Sequence, residues 1–350
     1  MARKRRILLV SKDIGDTQVV LPVAQVAIRE GYEVFVITEG MGAPFWLRAG
    51  IAPLFVGTSN FEEIPFTLDV GKVMEQVSPD TVVAGLACPI NLANQFAKES
   101  NHRSVPLIVI EDYWASLVQL TGARPDLVLS PDEFSQDCAR SRLEEAVSVQ
   151  IVGNHAVLPE SYTPIAPVRE AIAEARKHFD HTILYVDSGP VDEMRLLVRC
   201  LLVTPGNWCL IPRFHPKNVD QSTSTGRERA IVYRETLSPV RERIVECCGG
   251  TSDDVALLAD ITASGCSSSL STASGAGKVA ISLWTPATQS SFEIETGGLS
   301  KFPLALMELA HTVTSASNLL EFTPATAKAR AKLKPYDPER AFGFIREMVG

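Results

Sequence analysis

The residues best suited to chemistry fall in three short stretches. The first is the turn within ADITASGCSSSLSTASGAGKVAISL, Ala259–Leu283, where Ser264, Gly265, Ser267, Ser268 and Ser269 crowd together. Small side chains let a ligand approach the backbone, and amide N–H groups ahead of a helix, backed by its dipole, favour an anion. That suits a cradle for the phosphates of a nucleotide. The same residues would equally serve to cap the helix and let it pack on a sheet, and this stretch alone does not choose. The second is Arg213-Phe214-His215-Pro216-Lys217. His215 could put an N–H, or a positive charge, on a phosphate oxygen. Alternation along an extended segment would place Arg213, His215 and Lys217 on one side. The third is Glu111-Asp112, followed by Tyr113-Trp114, which could stack on a sugar or base. One carboxylate here could take the proton of an acceptor hydroxyl; otherwise Asp112 caps a helix starting at Trp114 and Glu111 is solvated. Asp13, in an earlier loop, is a further candidate base.

The elements needed to position these groups follow one pattern. Apolar runs at Arg6–Val10, Tyr32–Thr38, Ile51–Val56, Thr81–Gly85, Pro106–Ile110, Leu127–Ser130 and Val147–Val152 alternate with helical stretches. The runs are apolar throughout, which predicts parallel strands covered on both faces. Ligands of such sheets lie off the carboxyl ends of the strands. Lys12, Asp13, Gly15, Asp16, Glu39, Cys88, Glu111, Asp112, Asp132, Glu133, Asn154 and His155 stand there. The first loop has a single glycine in place of G-x-G-x-x-G, so a dinucleotide oxidoreductase is not expected.

Leu158–Pro167 reads as a proline-rich joint leading to a helix over Val168–Lys177. A second alternation follows. Strands are expected at Thr182–Val186, Trp208–Ile211, Ala230–Tyr233, Val255–Ile261 and Val279–Leu283. Helices are expected at Asp192–Leu202, Pro239–Cys247 and Leu270–Ala276, with polar loops at Gln221–Gly226 and Thr285–Ser291. Ser188 and Gly189 lie in the first loop of this half. Asp192 and Glu193 open its first helix as a favourable acidic turn. The last helix is expected over Pro338–Val349.

With 350 residues the chain is long enough for two domains. A net charge of −8, without a basic stripe, argues against a nucleic-acid partner. The apolar run after Arg3–Arg6 is too short for a signal peptide or a membrane span, leaving at most a weak contact with anionic headgroups. Seven cysteines without a C-x-x-C pair fit a reduced, cytoplasmic protein with no zinc site. No Asp-x-Asp motif is present, so a catalytic metal is not implied.

Two α/β halves, a proline-rich joint and a terminal helix resemble the GT-B glycosyltransferases. ILYVDSGPVDEM looks like the first strand and phosphate-facing loop of their C-terminal domain. RFHPK resembles the His-Pro motif of bacterial sialyltransferases and polyol-phosphate polymerases, and SGCSSSLSTASGAGKVAI resembles their Ser-Ser element. The resemblance implies two Rossmann-like parallel-sheet domains facing across a cleft, residues 1–160 for the acceptor and 161–335 for the nucleotide donor, with helix 336–350 crossing back to brace the first. It implies a transferase moving a sugar or polyol phosphate from a CMP-, CDP- or UDP-linked donor to a glycan or small-molecule acceptor, with no cofactor. Ser188, Gly189, Arg213, His215 and the serine cluster would hold the donor phosphates, while Glu111, Asp112 or Asp13 would act as base. Homo-oligomerisation stays open.

The non-hydrolysing UDP-N-acetylglucosamine 2-epimerases share the architecture, and VIEDYWAS resembles their strand ending in a functional Glu, which would be Glu111. Their Asp after the fourth strand is Leu86 here, and Asp187–Pro190 lacks their His-Arg-Arg-Glu-Asn signature. The helix after the serines also lacks the Glu that many GT-B enzymes place on the donor ribose. A degenerate, nucleotide-binding relative is the remaining alternative.

Overall fold

The structure, a computed structural model, describes residues 3–57, 68–86, 92–215, 218–220 and 222–349; Cys88 and Lys217 lie outside them. The chain forms two compact units. One comprises Met1–His155, Glu295–Gly297 and Lys334–Gly350, the other Ala156–Ile294 and Gly298–Leu333.

The strands of the first unit are β1 (Arg6–Ser11), β2 (Glu33–Thr38), β3 (Phe55–Val56), β4 (Thr81–Gly85), β5 (Leu107–Ile110), β6 (Leu127–Ser130) and β7 (Ser148–Ile151). They pair in parallel in the order β3-β2-β1-β4-β5-β6-β7. Alternate residues of β1 serve two cores. Ile7 and Leu9 pack with Val19, Val20 and Val23 of the helix Ile14–Arg29 and with Phe342 and Ile345 of the helix Pro338–Val349. Leu8 and Val10 pack with Phe96 and Ala97 of the helix Leu92–His102. A strand buried on both faces has no polar alternate, which is why these runs read as continuously apolar. The expected third strand, Ile51–Val56, shrinks to its last two residues.

The second unit carries β8 (His181–Val186), β9 (Trp208–Arg213), β10 (Ile261–Ser264), β11 (Val279–Leu283) and β12 (His311–Val313). They are parallel in the order β12-β11-β10-β8-β9. The segment β10, helix Ser269–Gly275, β11 is the expected βαβ unit.

Five local expectations in this half are corrected. Ala230–Tyr233 is no strand, and part of the loop before it is helical: both belong to the helix Ser224–Leu237, whose first turn is capped by the Thr223 hydroxyl accepting from the Gly226 N–H. Buried Gly226, Tyr233 and Leu237 follow the helical period, with Ala230 half-buried between them. Most of Val255–Ile261 is likewise helical, Ser252–Leu258, started by a reciprocal cap between Thr251 and Asp254. The expected loop Thr285–Ser291 lies mostly in the helix Pro286–Thr296. The expected helix Pro239–Cys247 is only a 3-10 segment, Ser238–Arg243.

Candidate functional site

In the first unit, the carboxyl ends of β1, β2 and β5 carry acids into close quarters. Asp13 stands at the N-cap position of the helix Ile14–Arg29. Asp16, in its first turn, is fully buried; its Oδ2 accepts from the Lys12 N–H at 2.7 Å, and its Oδ1 has no partner among the described residues. Burial, with the charges of Asp112 and Asp13, holds its carboxyl well above the usual range.

Asp112 reaches the same helix end through a gap left by Gly15. A Cβ on Gly15 would lie 2.4 Å from Asp112 Oδ2. Asp112 is half-buried, and its Oδ1 is enclosed without a hydrogen-bond partner among the described residues. Desolvation, then the charge of Asp13, push its pKa up to about 7. Glu39, after β2, is half-buried with Oε2 likewise unpartnered, and burial raises its pKa. A carboxylate near neutrality with an unsatisfied oxygen is suited to take a proton.

Glu111 is different, being held by the protein's own groups. It is 2% exposed, and its oxygens accept from the Ser130 hydroxyl at 2.8 Å and the Leu117 N–H at 3.1 Å. Burial lifts its pKa to about 8. It is an internal tie between the end of β6 and the turn after β5. Trp114 is no stacking platform either, being 1% exposed with Nε1 donating to Asp132 at 2.7 Å. Asp112 caps no helix at Trp114; the next turn is the 3-10 segment Ser116–Gln119.

In the second unit, buried Asp187 organises the ends of β8 and β9. Its carboxylate accepts from the Gly189 N–H at 3.0 Å, the His215 N–H at 3.2 Å, Asn218 Nδ2 at 2.8 Å and the Tyr233 hydroxyl at 3.0 Å. This fixes the backbone of His215, whose side chain is half-buried. Phe214 stacks on Tyr233 with ring centroids 4.9 Å apart. Arg213 Nη2 donates to the Gly249 carbonyl at 2.5 Å, while its buried Nε has no partner among the described residues. Gly189 has φ +128° and open space where a Cβ would sit.

The serine turn departs most from expectation. The Gly265 N–H does not face outward; it donates to Glu193 at 3.1 Å. The Ser188 hydroxyl also donates to Glu193, at 2.6 Å. The Ser267 and Ser269 amides are taken by the hydroxyls of Ser264 and Ser267. The Ser269 side chain bonds to Asp253. The helix behind the turn has seven residues, too short for a strong dipole. Ser267, Ser268, Gly189 and His215 keep partly exposed positions at the strand ends; Ser188 and Gly265 are spent on the protein's own carboxylate. Glu193 and its third partner, Thr288, carried no such role in the sequence.

These two Rossmann-like units are those of the GT-B fold. Solved structures align with the chain over nearly its whole length. S. aureus MnaA, solved with UDP, matches with a TM-score of 0.70 and 13% identity over 99% of this chain and 97% of its own. UDP-GlcNAc 2-epimerase from Neisseria meningitidis, bound to UDP-GlcNAc, gives 0.64 and 13% over 98% and 99%. MurG from Acinetobacter baumannii gives 0.57 and 12% over 98% and 99%. No protein-family model matches the chain, and no curated protein matches it. No described helix is long and apolar enough to cross a membrane.

Proposed function

We propose that the protein is a nucleotide-sugar transferase of the GT-B type, with Asp112 as its general base. The observation that carries this reading is the Asp112 carboxylate, set against Gly15 at the strand mouths, with an Oδ1 unpartnered among the described residues and a pKa raised to about 7. In the reaction, the acceptor oxygen attacks the anomeric carbon, the bond from that carbon to the donor phosphate oxygen breaks, and the nucleotide leaves. Asp112 takes the acceptor's proton; burial and the charge of Asp13 keep it basic. Among the described residues of the second unit, Ser267, Ser268, His215 and the Gly189 backbone stand partly exposed at the strand ends and would neutralise the leaving phosphate. Structures of this fold solved with UDP and UDP-GlcNAc support a uridine donor among the candidates.

An epimerase of the type sharing this fold would use the strand-end Glu, and the sequestered Glu111 speaks against it. Thermal-shift measurements with CMP, CDP, UDP and GDP, followed by incubation with the matching donor, test the proposal. Release of nucleotide that depends on acceptor and is lost in Asp112→Asn supports it. Solvent deuterium entering C2 of a UDP-sugar without transfer would favour the isomerase, and no shift with any nucleotide would defeat the donor reading.

A further inference from the structure

Glu193 is 0% exposed, yet three separate segments converge on it. The Ser188 hydroxyl comes from the loop after β8, the Gly265 N–H from the loop after β10, and the Thr288 hydroxyl from the helix following β11, at 2.6, 3.1 and 3.0 Å. A buried carboxylate is costly unless its lone pairs are met, and these donors meet them. Backbone geometry is fitted to the same contact. A Cβ on Gly265 would lie 2.0 Å from Glu193 Oε1, so only glycine brings its N–H this near. The carbonyl of Gly265 is held in turn by the Ser282 hydroxyl at 2.7 Å. The other ionisable groups acting on Glu193 are Asp187, at the end of β8, and the buried Tyr185 and Tyr233.

We propose that Glu193 is a positioning residue for the donor site: its carboxylate grips Ser188, Gly265 and Thr288 and so sets the strand-end loops that meet the nucleotide's phosphates. The inference rests on reading the second unit as the donor-binding half. With the Gly265 N–H drawn inward, the turn presents Ser267 and Ser268 instead. With the Ser188 hydroxyl drawn inward, the loop presents the Gly189 backbone. A neutral amide of the same length keeps one acceptor oxygen; alanine keeps none and leaves three donors without a partner.

The test uses the whole chain and its Glu193→Ala and Glu193→Gln variants. Amide hydrogen exchange, without ligand, should be at least ten-fold faster at 187–190 and 262–269 in Glu193→Ala, with Glu193→Gln between it and the wild type. UDP, CMP, CDP and GDP titrations should show at least a ten-fold loss of affinity in Glu193→Ala and recovery to within about three-fold in Glu193→Gln, as an acceptor-based role requires. If Glu193→Ala does not fold, the exchange and titration of Glu193→Gln decide, with intermediate loosening expected. Unchanged exchange at both loops, or unchanged affinity, overturns the proposal. A wild type that binds no nucleotide defeats the donor reading instead, while the exchange measurement still tests the grip on the loops.

Discussion

Gly15→Ala probes the geometry that makes Asp112 a base. The new Cβ would sit 2.4 Å from Asp112 Oδ2 and 3.5 Å from its Cγ, so the carboxylate must move. Overpacking of this kind costs roughly 1–3 kcal/mol. Against it stands the better helix propensity of alanine, up to about 1 kcal/mol in a helix interior and less in a first turn. The clash should win, leaving Gly15→Ala destabilised by about 1 kcal/mol. In Asp112→Ala the nearest remaining atom of residue 112 is Cβ, 3.9 Å away and in ordinary contact. There the same substitution should become neutral or stabilising, by up to about 0.5 kcal/mol. The two changes should therefore be coupled by about 1–1.5 kcal/mol. Urea midpoints of the wild type, both single variants and the double variant measure this. Additivity within about 0.5 kcal/mol would refute the close approach of Asp112 to the helix end. Once a donor is identified, Gly15→Ala should also lose about 10²–10⁴-fold in turnover, the usual worth of a positioned base.

Burial raises Glu111 to about 8 and Asp112 and Glu193 to about 7. In the unfolded chain these acids titrate near pH 4, so the folded state holds protons that the unfolded state has lost. Their stabilising effect is complete below about pH 4 and declines as pH rises to 7–8, so the melting temperature should be higher near pH 5.5 than at pH 8, and a flat profile would contradict these burials. Gly265→Ala should displace Glu193 and cost about 2 kcal/mol or more, read as a urea midpoint, whereas no loss would place the carboxylate elsewhere. Trp114→Phe removes the donor to buried Asp132 and should cost about 1–3 kcal/mol; a loss of ligand affinity with no loss of stability would return Trp114 to a stacking role.

Much of the layout was legible because burial on both faces leaves an unmistakable apolar run, as at Arg6–Ser11 and Val279–Leu283. Where a helix presents a similar run, the reading failed: Ala-Ile-Val-Tyr at 230–233 looks like a strand until buried Gly226 and Leu237 are set on the same helical face. Site residues were harder, because adjacent acids look alike in one dimension. Glu111 and Asp112 differ only in which way the chain turns after β5. Asp192 and Glu193 both suit a helix start, yet Asp192 is exposed and Glu193 fully buried. A signal was available: Glu193, Leu197 and Leu201 follow at four-residue steps, which puts a carboxylate on the apolar stripe. The inward Gly265 N–H had no signal, since small residues permit approach from either side.

The helix Pro338–Val349 closes the core of a sheet whose strands end at Ile151. During synthesis that sheet must wait, with Val19, Val23 and Tyr32 uncovered, while the entire second unit is made. The N-terminal half expressed by itself should therefore be sticky and poorly behaved. Supplying a peptide spanning 334–349 in trans should rescue its solubility.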